Sequence, residues 1–313
     1  MDSRLPSHPT TSNVTTDSTG IYREYTPGDL LNTIDWVYFF FAWGISPEHP
    51  QAAALRREAE TMLRRIADEG TLARAAGSWR RAWSEGDDIV LPATETESAT
   101  RLCFLRQQHA RPDAPCLCLS DFIAPPTAAA APPTARFVGL FATAAAHPAD
   151  ALPHPPGCPC CNPLPTGLRR RTAPTPANAT PDGDDPYTTM MRQTLLDRLA
   201  EAAAARLHAE MLQTFGNEAV NTEVRPAVGY PSMPDQSLIF DIAPCLPFER
   251  LGITLTHNGM MVPHAATCGL VFAHPAARYF DVGHVGTDQL EDYARRRGTD
   301  AASLQRFMTR RLA

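Results

Sequence analysis

A proline-rich stretch is the feature that most constrains how this chain can fold. From about His147 to Gly183 the composition changes sharply to Pro, Ala, Thr and Gly. Because such a stretch lacks the apolar periodicity of a helix or a strand, we predict a disordered insert at about 147–183. Residues 1–20, rich in Ser, Thr, Pro and Asp, predict a disordered tail. The simplest organisation of residues 21–313 is then one domain that the insert interrupts.

Charge and hydropathy argue against two classes of partner. The formal net charge is −6, whereas a nucleic-acid surface needs clustered Lys and Arg, so we expect no nucleic-acid binding. The most apolar run, Val37 to Ile45, is about nine residues long, well short of the roughly 20 that span a bilayer. No secretory signal is visible at the polar start of the sequence. We therefore expect no membrane contact and a cytoplasmic location, where cysteines stay mostly reduced.

Local patterns predict a mixture of helices and strands. Helices are predicted at 51–69, from about 185 to 215, and in two short stretches after Thr287 and after Thr299 or Asp300. Short apolar runs predict strands at 88–91, 101–105, 116–123, 136–143, 237–243, 268–273 and 278–285. The aromatic-rich segment 29–45 is expected to be buried. An α+β domain is the simplest account of this mixture of elements.

The most informative local motif is RPAVGYP at residues 225–231. Its two prolines fix the backbone and Gly229 permits a positive φ, so the segment is neither a central strand nor a helix interior. In a rigid loop of this kind, Arg225 can bind a carboxylate, and Ala227 and Gly229 can offer backbone groups. Tyr230 can supply an aromatic wall. The alternative is an ordinary proline turn with a surface arginine.

Three acidic side chains are candidate site residues. Asp35 stands between Ile34 and Trp36, where it either caps the local backbone or receives an ammonium or ribose group of a ligand. Asp197 and Glu201 share one stripe of the long predicted helix with His208, two turns further on. That stripe is either a solvated polar face or an acidic strip aimed at a partner's imidazole or a cofactor edge.

The cysteines of the insert are candidates for a metal or redox site. Cys158 and Cys161 form a Cys-x-x-Cys with Cys160 between them. A zinc site would need a second ligand pair nearby, and a redox pair would need a helix to follow, and neither is present. Adventitious thiols in a loop are the favoured interpretation, and a metal-dependent module is the weaker one. We predict no metal ligands and no catalytic triad or acid–base pair.

Eight segments occur in an order that resembles the C-terminal activation domain of cobalamin-dependent methionine synthase. They are IDWVYFFFAWGI (34–45), GDDI (86–89), FLRQQ (104–108), CLCLSDFIAP (116–125), FVGLFA (137–142), LLDRLAEA (195–202), RPAVGYP (225–231) and DQLEDYARRRG (288–298). The resemblance covers most of residues 29–310 apart from the insert. It implies a single curved α+β domain with a twisted antiparallel sheet flanked by helices.

The resemblance also implies a ligand, S-adenosylmethionine. Asp35 and Arg225 match the positions that hold its polar amino-acid end. Ala227, in the same loop as Gly229, matches a backbone contact. Tyr279 and Phe280 match an aromatic pair beside the ligand, although the family usually has a second tyrosine where this chain has phenylalanine.

The resemblance further implies a cobalamin-binding partner. Tyr230 matches the aromatic that reaches toward the cobalamin, and Asp197 and Glu201 match acidic positions that receive the displaced histidine ligand of cobalt. Without homocysteine, folate and cobalamin domains, the chain is expected to act in trans on a methionine synthase that lacks its own activation domain. That partner would supply the cobalamin, and a flavodoxin-like or other flavoprotein would be the reductant. The alternative is a non-catalytic docking, chaperone or S-adenosylmethionine-sensing module.

Two further departures from the family bear on ligand geometry. His264, in VPHAA, stands where the family commonly has glycine. The stretch 216–224 is shorter than is usual in the family, and it is expected to lack a ligand-side carboxylate.

Overall fold

The computed structural model describes residues 20–94, 98–109, 114–128, 133–147, 185–214 and 224–309. The predicted disordered tail and insert, with the Cys158 cluster, lie outside these residues except for Gly20 and His147. The shortened 216–224 stretch also lies outside them, apart from Val224.

Strands and helices are mixed along the described residues, as the α+β prediction requires. The strands are β1 (Ile21–Tyr25), β2 (Leu72–Arg81), β3 (Trp83–Glu85), β4 (Asp88–Leu91), β5 (Thr100–Cys103), β6 (Phe137–Ala146), β7 (Thr254–Leu255), β8 (Met261–Val262) and β9 (Ala266–Val271). The helices are α1 (Pro27–Leu30), α2 (Trp36–Ala42), α3 (Ala52–Asp68), α4 (Pro186–Gln213), α5 (Ile239–Ile242), α6 (Phe248–Leu251), α7 (Thr287–Arg296) and α8 (Ala301–Gln305).

The central sheet has four antiparallel strands in the order β1-β2-β6-β9. Two smaller antiparallel sheets, β3-β4-β5 and β7-β8, are formed by chain segments that come between strands of the central sheet. The α+β fold class with antiparallel sheets is therefore confirmed. No helix in the described part of the chain is both long enough and apolar enough to cross a membrane.

Helix α4 lies across the central sheet because small residues let the two approach closely. A β-carbon added at Gly77 would lie 2.5 Å from Met211 Sδ and 3.3 Å from the carbonyl oxygen of Leu140, so the glycine lets the Met211 side chain of α4 lie close against β2. The hydroxyl of Thr143 in β6 donates a hydrogen bond of 2.8 Å to the carbonyl of Ala200 in α4. This hydrogen bond holds one face of α4 against the sheet. The polar stripe that carries Asp197 and Glu201 is next to that face on the helix.

The predictions for the most periodic or most apolar segments are confirmed. Helix α3 matches the predicted 51–69, and α4 matches the predicted long helix, with Asp185 capping its first turn by accepting from the backbone N–H groups of Tyr187 and Thr188. Strands β4, β6 and β9 match the runs predicted at 88–91, 136–143 and 268–273.

Three predicted strands are wrong. The 116–123 run contains a 3-10 helix, Leu119–Phe122, and the 237–243 run is helical, with α5 following a 3-10 turn. In both places an aspartate accepts from the backbone N–H at the start of the turn, Asp121 from Cys118 and Asp235 from Ser237, which favours helical geometry. The 278–285 run has no strand.

Burial of the whole aromatic segment 29–45 is also wrong. Phe39 and Phe40 are buried, but Tyr38 and Phe41, which belong to the same short helix α2, are each 60% exposed. A helix of seven residues offers only one face to the core, so a continuous aromatic run leaves its other face in solvent.

Candidate functional site

The RPAVGYP segment runs beside β9 as an irregular edge of the central sheet. Leu270 N–H donates to the carbonyl of Pro226 at 3.0 Å, and Val228 N–H donates to that of Cys268 at 2.9 Å. Ala227 forms a bridge with Gly269. This edge position is where a chain with two prolines can still join a sheet, because proline has no N–H to donate.

A turn follows at Gly229. Its φ is +89°, and its N–H donates to the carbonyl of Met233 at 2.9 Å. The N–H of Tyr230 donates to the carbonyl of Ala227 at 3.1 Å, and Thr309 Oγ1 donates to the carbonyl of Gly229 at 2.9 Å. These bonds fix the direction in which the chain leaves the sheet edge and place Tyr230 against α4.

Arg225 is held from three sides. Its backbone N–H donates to the hydroxyl of Tyr279 at 2.8 Å, and its guanidinium carbon lies 5.4 Å from the centre of the Phe141 ring. Its Nη2 lies 3.5 Å from Oε2 of Glu201, and only 15% of the side chain is exposed. A guanidinium in such a place is oriented and partly desolvated, which strengthens its attraction for an anion.

Glu201 contacts both Arg225 and Tyr230. The Tyr230 hydroxyl donates to Glu201 Oε1 at 3.1 Å. Burial, together with the negative charge and the hydrogen bond of Glu201, raises the pKa of Tyr230 to about 12. The phenol therefore stays protonated and remains a donor at neutral pH, while 48% of the residue is exposed.

Asp197, one turn before Glu201 on α4, contacts the unusual His264. Its Oδ1 accepts from Gln193 Nε2 at 3.0 Å and lies 3.3 Å from His264 Nδ1. The imidazole follows a cis peptide bond between Val262 and Pro263. Both acidic residues of the predicted strip therefore have partners within the chain, so a docking protein would have to replace or share them.

His208, two turns beyond Glu201, is buried beside this cluster. Burial first, and then the positive charge of Arg225, lowers the pKa of His208 to about 4. Its Nε2 has no hydrogen-bond partner among the described residues. The imidazole is therefore neutral at physiological pH and adds no positive charge beside Arg225.

The buried neutral His208 should make stability fall in acid. In the unfolded chain it takes up a proton near pH 6.5, but in the folded chain only near pH 4, so stability present above pH 6.5 is lost as the pH falls toward 4. Between pH 7 and pH 5 we expect a loss of about 2 kcal/mol from this group. Urea unfolding of wild type and His208→Gln at both pH values measures it.

The control for this experiment is the exposed His284. In His284→Gln, the free energy of unfolding should fall between pH 7 and pH 5 as much as it does in wild type. In His208→Gln that fall should be smaller by about 2 kcal/mol, whatever the stability of the variant at pH 7. An unchanged difference between the two pH values in His208→Gln would contradict a neutral buried imidazole.

The structure brings together most, but not all, of the predicted site residues. Arg225, Glu201, Tyr230 and Tyr279 form one connected set, with Ala227 and Gly229 in the same loop. Asp35 makes no such connection. It lies exposed at the start of α2, where its carboxylate accepts from the N–H of Val37 at 3.0 Å, so its role toward a ligand stays a prediction.

The two residues of the predicted aromatic pair, Tyr279 and Phe280, differ in exposure. Tyr279 is 59% exposed, whereas the Phe280 ring packs against that of Phe122, with 6.3 Å between their centres. Phe280 is thus part of a hydrophobic cluster, which explains why a residue without a hydroxyl is tolerated there.

Sequence reasoning missed two contributors to the site. Phe141 lies under the Arg225 guanidinium, and Gln193 joins Asp197 to His264. The only signal for Gln193 was its spacing of four residues from Asp197, which puts the two on one helical stripe. In the described part of the chain, no group of three or more His, Cys, Asp or Glu residues could hold a metal ion.

Comparison with known proteins places these observations in a family. Residues 28–154 and 173–298 match the family model described as the activation domain of vitamin B12 dependent methionine synthase. Among solved structures, a crystal structure of the MetH reactivation domain bound to AdoHcy is similar at a TM-score of 0.73 and 27% sequence identity. The match covers 94% of this chain and 90% of that chain.

Proposed function

The chain belongs to the family of vitamin B12 dependent methionine synthase activation domains, and on that premise we propose that it binds S-adenosylmethionine and supports reductive methylation of cob(II)alamin on a separate methionine synthase. The observation that carries this proposal is the oriented, partly desolvated guanidinium of Arg225. A similar solved domain has AdoHcy bound, a molecule with the same amino-acid head group.

The residues around Arg225 fit an amino-acid head group. The contact of 3.5 Å from Arg225 to Glu201 is longer than the 2.7–2.9 Å of a charge-assisted hydrogen bond, so a ligand carboxylate can displace it. His208 is neutral and does not compete for that carboxylate. The exposed ring of Tyr279, tied through its hydroxyl to the Arg225 backbone, can flank the rest of the ligand.

The main requirement that the methyl transfer places on the protein is to align the reacting groups. A sulfonium methyl group is already activated toward a reduced cobalt centre, which is a strong nucleophile. The chain's residues therefore have to bind the head group, orient the sulfonium and exclude water, and none has to act as a general base. The connected set of Arg225, Glu201, Tyr230 and Tyr279 is suited to those tasks.

We propose that the partner approaches over Tyr230 and the acidic strip of α4. Tyr230 is about half exposed and its hydroxyl faces Glu201, with Asp197 one turn away. A partner's imidazole that bonded Asp197 would replace His264, whose ring now occupies that place. The partner would be a cobalamin-binding methionine synthase without its own activation domain, reduced by a flavodoxin-like or other flavoprotein.

Titration calorimetry of the full chain with S-adenosylmethionine tests the first half of this proposal. We expect micromolar affinity, which corresponds to about −8 kcal/mol. The second half is tested by adding cob(II)alamin on a methionine synthase truncated before its activation domain, with a flavoprotein reductant, and following methylcobalamin by its absorbance. No heat would remove the ligand assignment, and binding without methylation would favour the docking or sensing module.

A further inference from the structure

Glu201 contacts the two residues that would face different molecules. Oε2 lies 3.5 Å from Arg225 Nη2, and Oε1 accepts from the Tyr230 hydroxyl at 3.1 Å. On the proposed function, Arg225 binds the ligand's carboxylate and Tyr230 faces the partner. One carboxylate, with 31% of its side chain exposed, thus stands between the ligand and the docking surface.

We infer that Glu201 is a positioning residue that transmits occupation of Arg225 to Tyr230. The inference rests on the proposed function, since it needs a ligand carboxylate at Arg225. When that carboxylate binds the guanidinium, Glu201 loses part of its cationic partner. Its negative charge then acts more strongly on its remaining donor, the Tyr230 hydroxyl.

The direction of the effect follows from Coulomb interactions over a few ångströms. Before binding, Arg225 draws the Glu201 carboxylate toward the sheet edge, and the Tyr230 hydroxyl draws it outward. A second carboxylate on Arg225 cancels the inward attraction and repels Glu201, so the bond to Tyr230 shortens. Because binding free energies are reciprocal, any partner that favours this arrangement of Tyr230 also favours the ligand.

The chain provides a matched comparison on the same helix. Glu210 also accepts from one tyrosine and one arginine, from Tyr25 Oη at 2.9 Å and from Arg23 Nε at 2.7 Å. Glu210 lies more than two turns beyond Glu201 on α4. Tyr230 at the proposed site and Tyr25 away from it therefore each donate to a glutamate that also contacts an arginine.

The experiment follows tyrosine resonances as the ligand binds. The full chain is labelled with ¹³C at tyrosine Cζ and titrated with S-adenosylmethionine, in parallel with calorimetry. We expect the Tyr230 resonance to move and to saturate with the calorimetric Kd, while the Tyr25 resonance stays in place. Heat of binding without movement of Tyr230 overturns the inference and leaves the proposed function intact, whereas no heat removes both.

Two variants separate coupling from direct contact. Glu201→Gln keeps the shape and a hydrogen-bond acceptor but removes the charge, so it should abolish the Tyr230 shift. It should also bind S-adenosylmethionine about two- to fivefold more tightly, because a competing ion pair is gone. Glu210→Gln should change neither result. A Tyr230 shift that persists in Glu201→Gln would mean direct ligand contact, and a tenfold loss of affinity would mean that Glu201 supports Arg225; either overturns the inference.

Discussion

Arg225→Ala should weaken binding of S-adenosylmethionine about ten- to 150-fold, the equivalent of about 1.5–3 kcal/mol for hydrogen bonds to a charged group. The large effect is expected because the guanidinium already lies beside the Phe141 ring, with only 15% of the side chain exposed, before the ligand arrives, so little ordering remains to be done on binding. Alanine keeps the backbone N–H that donates to Tyr279. Titration calorimetry of the variant measures the loss directly.

Arg206→Ala is the matched control for this measurement. Arg206 also lies near an aromatic ring, 5.4 Å from the centre of Tyr25, and near a glutamate, 3.8 Å from Glu210. It stands on α4, away from the RPAVGYP loop. We expect Arg206→Ala to bind the ligand like wild type. Equal losses in the two variants would show that Arg225 acts through the general charge of the chain and not as a ligand contact.

The conformation of the RPAVGYP loop was predictable because it depends on its own residues. Two prolines and a glycine restrict the backbone whatever surrounds them, and the structure shows the irregular edge and the positive φ that they require. The same holds for the cap at Asp185, which needs only a carboxylate before the first turn of α4.

The family resemblance assigned Arg225 to the ligand and Glu201 and Tyr230 to the partner side, but it did not predict the contacts of these three residues with one another. Their contacts depend on where α4 crosses the sheet and on the register of the edge beside β9, and neither is encoded in a short window of residues. The edge strand β1 and its neighbour β2 were not predicted from the sequence. For β2 the reason is its residue pattern. β2 is buried along most of its length and carries several arginines, so it shows no clean alternation of apolar and polar residues.

Asp35 shows what happens when a local and a family interpretation differ. Locally, a backbone cap was one of the two interpretations of this aspartate, and its carboxylate does accept from Val37 N–H. The family interpretation needs the same carboxylate to reach a ligand at Arg225. A helix cap is worth about 1 kcal/mol and can coexist with a second acceptor contact, since a carboxylate has two oxygens.

Gly269→Ala should destabilise the fold by about 3 kcal/mol, because β9 and the RPAVGYP segment approach each other too closely for a side chain. A β-carbon at residue 269 would lie 2.2 Å from the carbonyl oxygen of Pro226 and 2.7 Å from Cα of Ala227. Both are backbone atoms, so no rotamer change can relieve the clash. We expect the midpoint of thermal unfolding to fall by roughly 6–12 °C.

The same substitution should also weaken ligand binding, because the displaced segment carries Arg225 and Ala227. Gly20→Ala is the control: an added β-carbon there meets no atom within 4 Å, so both stability and affinity should stay at wild-type values. Calorimetry below the unfolding transition separates the two effects, since the folded fraction is then close to one. If Gly269→Ala lost stability but kept full affinity, Arg225 would not depend on the close approach of this edge to β9. If Gly269→Ala loses both stability and affinity, the missing side chain at Gly269 is what lets the RPAVGYP segment lie close against β9 and hold Arg225 in position.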